Sequence, residues 1–177
     1  LISSPDPARQ TTAEDIGTLL SMLYYCAQGS GGLLAVYPDE MTPNECQEII
    51  ALMEQNVEGN LIRIGVPEDV PVSHKHGWDG LTYGDAGLVR SPGGDYVIVI
   101  YVHQTGGWLA ADISFPILWE MSRLTYNYFN FTEPYLEDPL IRAEREAAAL
   151  EERTAVEEAT PTEEDVEDTA VTPTPTP

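Results

Sequence analysis

At Val70 the apolar period of this chain changes from helical to alternating, and that change decides what the sequence can build. Three runs follow, Val70–Trp78, Leu81–Arg90 and Tyr96–His103, bounded by turn residues. Ser91-Pro92-Gly93-Gly94-Asp95 joins the last two and predicts a hairpin. Connections this short pair strands antiparallel, so the sequence predicts a three-stranded meander, with Val97-Ile98-Val99-Ile100 apolar enough to be central.

Helices are predicted on either side. Thr12 caps a run in which Ile16, Leu19, Leu20, Leu23 and Tyr24 recur three and four apart, ending near Ala27 before Gly29-Ser30-Gly31-Gly32. Thr42-Pro43-Asn44-Glu45 is a capping box that opens a second helix, with Cys46, Ile49, Ile50 and Met53 as its inner stripe and residues 56–60 as its exit loop. A third helix, about Asp112 to Phe129, offers Ile113, Ile117, Leu118, Met121, Leu124, Tyr126, Tyr128 and Phe129 to pack on the sheet. Beyond Asp138 few large apolar groups remain. Residues 133–157 read as an acidic polar helix or linker, and 158–177 as a disordered acidic Thr/Pro-rich tail that buries too little surface to offset the entropy of ordering.

With 30 Asp and Glu against 8 Lys and Arg, the net charge is −22, which excludes nucleic acid as a partner on electrostatic grounds. From Pro139 onward 11 acidic and 3 basic residues contribute −8 of this, leaving −14 on the remainder. No stretch reaches the apolar length of a membrane span. The opening Leu1-Ile2-Ser3-Ser4-Pro5 lacks the regions of a signal peptide, so the sequence is expected to be a fragment or to be trimmed upstream. Cys26 and Cys46 would be joined in an oxidising compartment; two buried free thiols are the other reading.

The strongest local signal is Ser73-His74-Lys75-His76-Gly77-Trp78, which holds the only lysine and two of the three histidines. Strand alternation puts His74 and His76 on one face and Ser73, Lys75 and Gly77 on the other. Lys75 facing a cleft would hold an anionic substrate group, and Gly77 would let a ligand approach the strand edge; a solvated charge on an edge strand is the plainer reading. His74 and His76, with Asp79, Asp85 or His103, form a weaker candidate metal site. Asp85 reads as a carboxylate accepting main-chain hydrogen bonds, and Arg63 as pairing with a carboxylate.

Val72-Ser73-His74-Lys75-His76-Gly77-Trp78, then Gly84-Asp85-Ala86-Gly87-Leu88-Val89, then Ser91-Pro92-Gly93-Gly94-Asp95-Tyr96-Val97 resembles the Lys-Thr-Gly strand and following hairpin of class A β-lactamases. Arg9-Gln10-Thr11-Thr12-Ala13 looks like the end of that family's omega loop, and Leu61-Ile62-Arg63-Ile64-Gly65-Val66-Pro67 like the approach to the strand. The similarity runs from about Arg9 to Asn130, and order and spacing carry it.

The resemblance implies an α/β domain of the α+β type, a β-lactamase/transpeptidase-like antiparallel sheet flanked by helices, with residues 1–132 its C-terminal part. It implies serine acyl transfer to water on a β-lactam, or D,D-peptidase or esterase chemistry on a peptidoglycan-like acyl substrate, without cofactor or metal. Lys75 takes the place of the motif lysine that holds the substrate carboxylate and tunes the catalytic hydrogen-bond network. His76, Gly77 and Trp78 follow as substrate-binding positions, His76 standing where Thr or Ser is usual, and main chain near Trp78 serving the oxyanion hole. The Ser-x-x-Lys nucleophile is missing, for Val72 stands where a motif ending at Lys75 needs serine, and neither Ser-x-Asn nor an omega-loop glutamate upstream of Arg9 is present. The nucleophile is therefore expected on an upstream segment. Export to the bacterial surface or medium is also implied; from a different class, a non-catalytic cell-surface binding module fits the acidic tail.

Overall fold

The computed structural model describes residues 10–56 and 61–159. Helices α1 (Ala13–Ala27), α2 (Gly32–Val36), α3 (Pro43–Glu54) and α4 (Leu61–Ile64) precede strands β1 (Val72–Trp78), β2 (Thr82–Ser91) and β3 (Gly94–His103); α5 (Ala111–Phe129) and α6 (Pro139–Ala159) follow. Most of the expected exit loop of α3, residues 57–60, lies outside the described residues, as does the tail from residue 160.

Local chemistry sets the helix starts. Thr12 and Thr42 each accept the N–H three residues on, and Asp15 and Glu45 return the bond to the cap residue's own N–H, so both helices begin with reciprocal capping boxes. Cys26 and Cys46 are bonded as a disulfide that ties α1 to α3. The short helices α2 and α4 were not anticipated, having too few residues for a periodic signal.

The sheet is antiparallel in the order β1-β2-β3, so among the described residues β2, not the more apolar β3, is central. Val97-Ile98-Val99-Ile100 is apolar for another reason: the strand is covered on both faces. Leu88 and Val97 meet Leu23, Ile50 and the cystine on the α1/α3 side. Val89, Tyr96, Ile98 and Ile100 meet Ile62, Leu118 and Tyr126 on the α4/α5 side. Period-two alternation along β2 and β3 thus feeds two separate cores.

Two helical stripes differ from expectation. Ile49 of α3 is exposed, leaving Cys46 and Ile50 as the buried pair. On α5 the buried residues are Ser114, Leu118, Ser122 and Tyr126, four apart, whereas Ile113, Ile117, Met121, Leu124 and Tyr128 face outward. At Ser122 a small residue points inward because the chain just after α4 comes very close: a Cβ at Gly65 would lie 2.5 Å from both Arg123 N and Ser122 Cβ. Ser122 Oγ uses that proximity to donate to the Ile62 carbonyl at 2.7 Å.

The chain divides into two compact units, Leu1–Leu140 and Ile141–Pro177. The first continues past residue 132 because Tyr135 packs on the α5 side of the core, exchanging main-chain hydrogen bonds with the Asn127 side chain at 2.7 and 3.1 Å. In the second, Arg142 Nε donates to Glu146 Oε1 at 2.8 Å, one turn along α6. Among the described residues no helix is long and apolar enough to cross a membrane.

A candidate substrate site at the edge of β1

β1 pairs only with β2 among the described residues, with Lys75 opposite Ala86, His76 opposite Asp85, Gly77 opposite Gly84 and Trp78 opposite Tyr83. Its first half is buried and its second half emerges from Lys75 onward. That emerging half borders a cavity of about 700 Å³, closed by the start of α1, by Met53 of α3 and by Tyr101 of β3. Lys75, His76, Gly77 and Trp78 all line it, so the sheet edge overrides the strict separation of faces that alternation predicts.

The geometry leaves room for a ligand. A Cβ at Gly77 would meet nothing within 4 Å, so the strand is open to a backbone-sized group there. At Gly84 the reverse holds: a Cβ would lie 2.3 Å from Tyr101 Cδ1, and absence of a side chain lets the tyrosine ring lie across the sheet into the cavity wall. The exposed Lys75 ammonium donates to its neighbour's carbonyl, Nζ to His76 O, at 2.7 Å. Trp78 stacks on Tyr83 with centroids 6.1 Å apart.

Behind this edge lies a buried polar node. Asp85, in mid-strand, accepts Ile62 N–H at 2.9 Å, Ala86 N–H at 2.9 Å and the imidazole of His74, whose Nδ1 is 3.0 Å from Oδ2. In the tautomer with its proton on Nδ1 the imidazole donates to this carboxylate. The pair fastens β1, β2 and the start of α4 together directly beneath Lys75. Sequence reading gave Asp85 its main-chain donors in kind but missed His74, whose partner depends on a diagonal across a register that one sequence does not specify. His74 is thus engaged away from any metal cluster, and His103 Nδ1 lies 3.0 Å from Thr82 Oγ1; among the described residues no three His, Cys, Asp or Glu side chains converge to hold an ion. Among the described residues Arg63 departs from expectation, its Nη2 donating to the main-chain carbonyls of Glu54 at 3.3 Å and Val72 at 3.2 Å and to no carboxylate.

A three-stranded antiparallel sheet covered by helices matches the fold of the β-lactamase-related serine hydrolases. The sequence profile of the beta-lactamase enzyme family matches residues 2–129, and the chain belongs to that family. Solved structures agree in fold. PBP-A is 24% identical with a TM-score of 0.55, over 68% of this chain and 40% of that one. An acyl-enzyme complex of a PBP-A mutant with penicillin G is 24% identical with a TM-score of 0.55, over 73% of this chain and 46% of that one. A β-lactamase from Burkholderia vietnamiensis is 19% identical with a TM-score of 0.52, over 71% of this chain and 45% of that one. This chain therefore spans less than half the length of each. No curated protein matches it.

Proposed function

We propose that this chain forms one wall of the acyl-transfer site of a serine hydrolase of the class A β-lactamase type, acting on a β-lactam or a related amide or ester. The observation that carries the reading is the placement of the only lysine, Lys75, on an open strand edge lining a 700 Å³ cavity. In this reading Lys75 holds the substrate carboxylate and helps polarise the acyl group, while His76, Gly77 and Trp78 form the adjoining floor. A serine on a segment outside these residues attacks the acyl carbonyl and expels the amine or alkoxide. Water then attacks the acyl-enzyme, releasing the acid and restoring the serine hydroxyl. The likeness to a protein captured as a penicillin G acyl-enzyme supports the choice of acyl donor. His76, with its larger, titratable ring in place of a hydroxyl, favours D,D-peptidase or esterase substrates as the second reading within the same chemistry. The proposed setting is the bacterial surface or medium, consistent with the Cys26–Cys46 disulfide.

The test is labelling of the full-length protein with a fluorescent penicillin, followed by mass spectrometry of the labelled peptide. An adduct on serine, with labelling reduced at least about tenfold by Lys75→Ala, is expected from the loss of a charge-assisted contact. A folded protein that forms no adduct with any acyl donor would instead point to a non-catalytic binding module.

A further inference from the structure

Next to the Lys75 cavity two indoles stand largely in solvent, Trp78 at 59% and Trp108 at 68% exposure. They meet at 6.0 Å with their planes at 66°, forming the two walls of a corner. One face of Trp78 rests on Tyr83, and the six-membered ring of Trp108 lies over Gly80, where a Cβ would come within 2.9 Å of it. Gly80 has φ +87°, so the turn needs glycine twice, for its backbone and for the ring above it. The loop bearing Trp108 is tied to this turn at both ends: Gln104 N–H donates to Leu81 O at 2.9 Å, and Leu109 N–H to Gly80 O at 2.8 Å. The corner is therefore preorganised: both indoles are fixed by their neighbours while most of their surface stays exposed.

Electrostatics selects the occupant. Ring faces attract cations, and orthogonal aromatic walls are the arrangement that recognises ammonium groups. Asp79 lines the cavity immediately after Trp78, and a chain of net charge −22 repels anionic aromatics or phosphates. We infer that the Trp78–Trp108 corner binds an organic ammonium group, so that a substrate presents its carboxylate to Lys75 and a cationic nitrogen to the indoles. The Lys75 half rests on the proposed function; the ammonium half does not.

The test is calorimetric titration of the full-length protein with choline chloride, against sodium chloride at equal ionic strength and against 3,3-dimethyl-1-butanol, the neutral isostere. Choline should saturate, and the isostere should not. Trp108→Ala should weaken choline by about fivefold, the worth of one exposed cation–π contact of roughly 1 kcal/mol, with Trp108→Phe recovering part of it. Asp79→Asn should also weaken it by removing the negative charge, while the amide oxygen keeps an acceptor for the Leu81 and Thr82 N–H groups that Asp79 Oδ1 now holds. Equal binding of the isostere, a choline response untouched by both Trp108→Ala and Asp79→Asn, or saturation by N-acetylglucosamine in place of choline would overturn the inference. Penicillin labelling of the same preparation reads the Lys75 half separately, so failure of either half is recognised on its own.

Discussion

Replacing Asp85 by alanine would strand two buried donors, Ile62 N–H at the start of α4 and the His74 imidazole, whereas Ala86 N–H lies within the ladder of the central strand. Each buried polar group left unpaired costs about 1–3 kcal/mol, so Asp85→Ala should lose at least about 2 kcal/mol in urea unfolding; a loss below about 1 kcal/mol would show that the node is not formed in solution. Tyr96 offers the opposite case, a buried hydroxyl without a hydrogen-bond partner among the described residues, its ring stacked on Phe129. Burial, and secondarily Tyr126, push its phenol well above the ordinary value of 10.0. A raised folded-state value means that the stabilisation is complete below about pH 10 and is lost as the pH climbs from there towards the folded-state value, because the unfolded chain ionises first. Tyr96→Phe should therefore gain about 1 kcal/mol at neutral pH and flatten the alkaline fall of the melting temperature between about pH 9 and 11. An unchanged alkaline limb would contradict this. At this scale the sequence singled out candidate residues more readily than the partner each one touches. Lys75 stood out by being solitary, whereas the His74–Asp85 pair required a register.

The elements were legible where chemistry is local. Both capping boxes, the Ser91–Asp95 turn and the change of period lie within a few consecutive residues, and each marks the element observed. Orientation was less legible, and α5 shows why. Part of its apolar stripe turns outward while Ser122 turns in beside Leu118 and Tyr126, because the close approach of Gly65 admits only a small group at position 122. Gly65→Ala should accordingly cost about 2 kcal/mol or more in unfolding experiments, since main chain cannot step aside as a flexible side chain does. Gly77→Ala, with nothing within 4 Å of the new methyl, should stay within about 0.5 kcal/mol of the parent, so any loss of acylation there would report on ligand approach and not on folding. The Cys26–Cys46 bridge spans a sequence separation of 20 residues between two helices that share a core with Leu88. Reduction should cost about 3 kcal/mol, read as a lower melting temperature in a thiol reductant; equal melting with and without reductant would show that the bridge contributes nothing.

For the molecule as a whole, two cores on opposite faces of one sheet explain why so apolar a strand as β3 lies at the edge of the described sheet, and why period alone placed it at the centre. Order and spacing of motifs disclosed the family, since the matched span of residues 2–129 nearly coincides with the Arg9–Asn130 stretch on which the resemblance rests. The unit boundary was harder, because Tyr135 docks through main-chain hydrogen bonds that leave no compositional mark. What unites the molecule functionally is the claim that Lys75 receives a carboxylate. The acylation rate of the full-length protein by benzylpenicillin, compared with that by its methyl ester, measures this directly in the parent and in Lys75→Ala. We predict that esterification slows the parent by about 10- to 100-fold, the worth of one charge-assisted contact, and that Lys75→Ala reacts with acid and ester at nearly equal rates. An acid-to-ester ratio that is the same in both proteins would contradict the account.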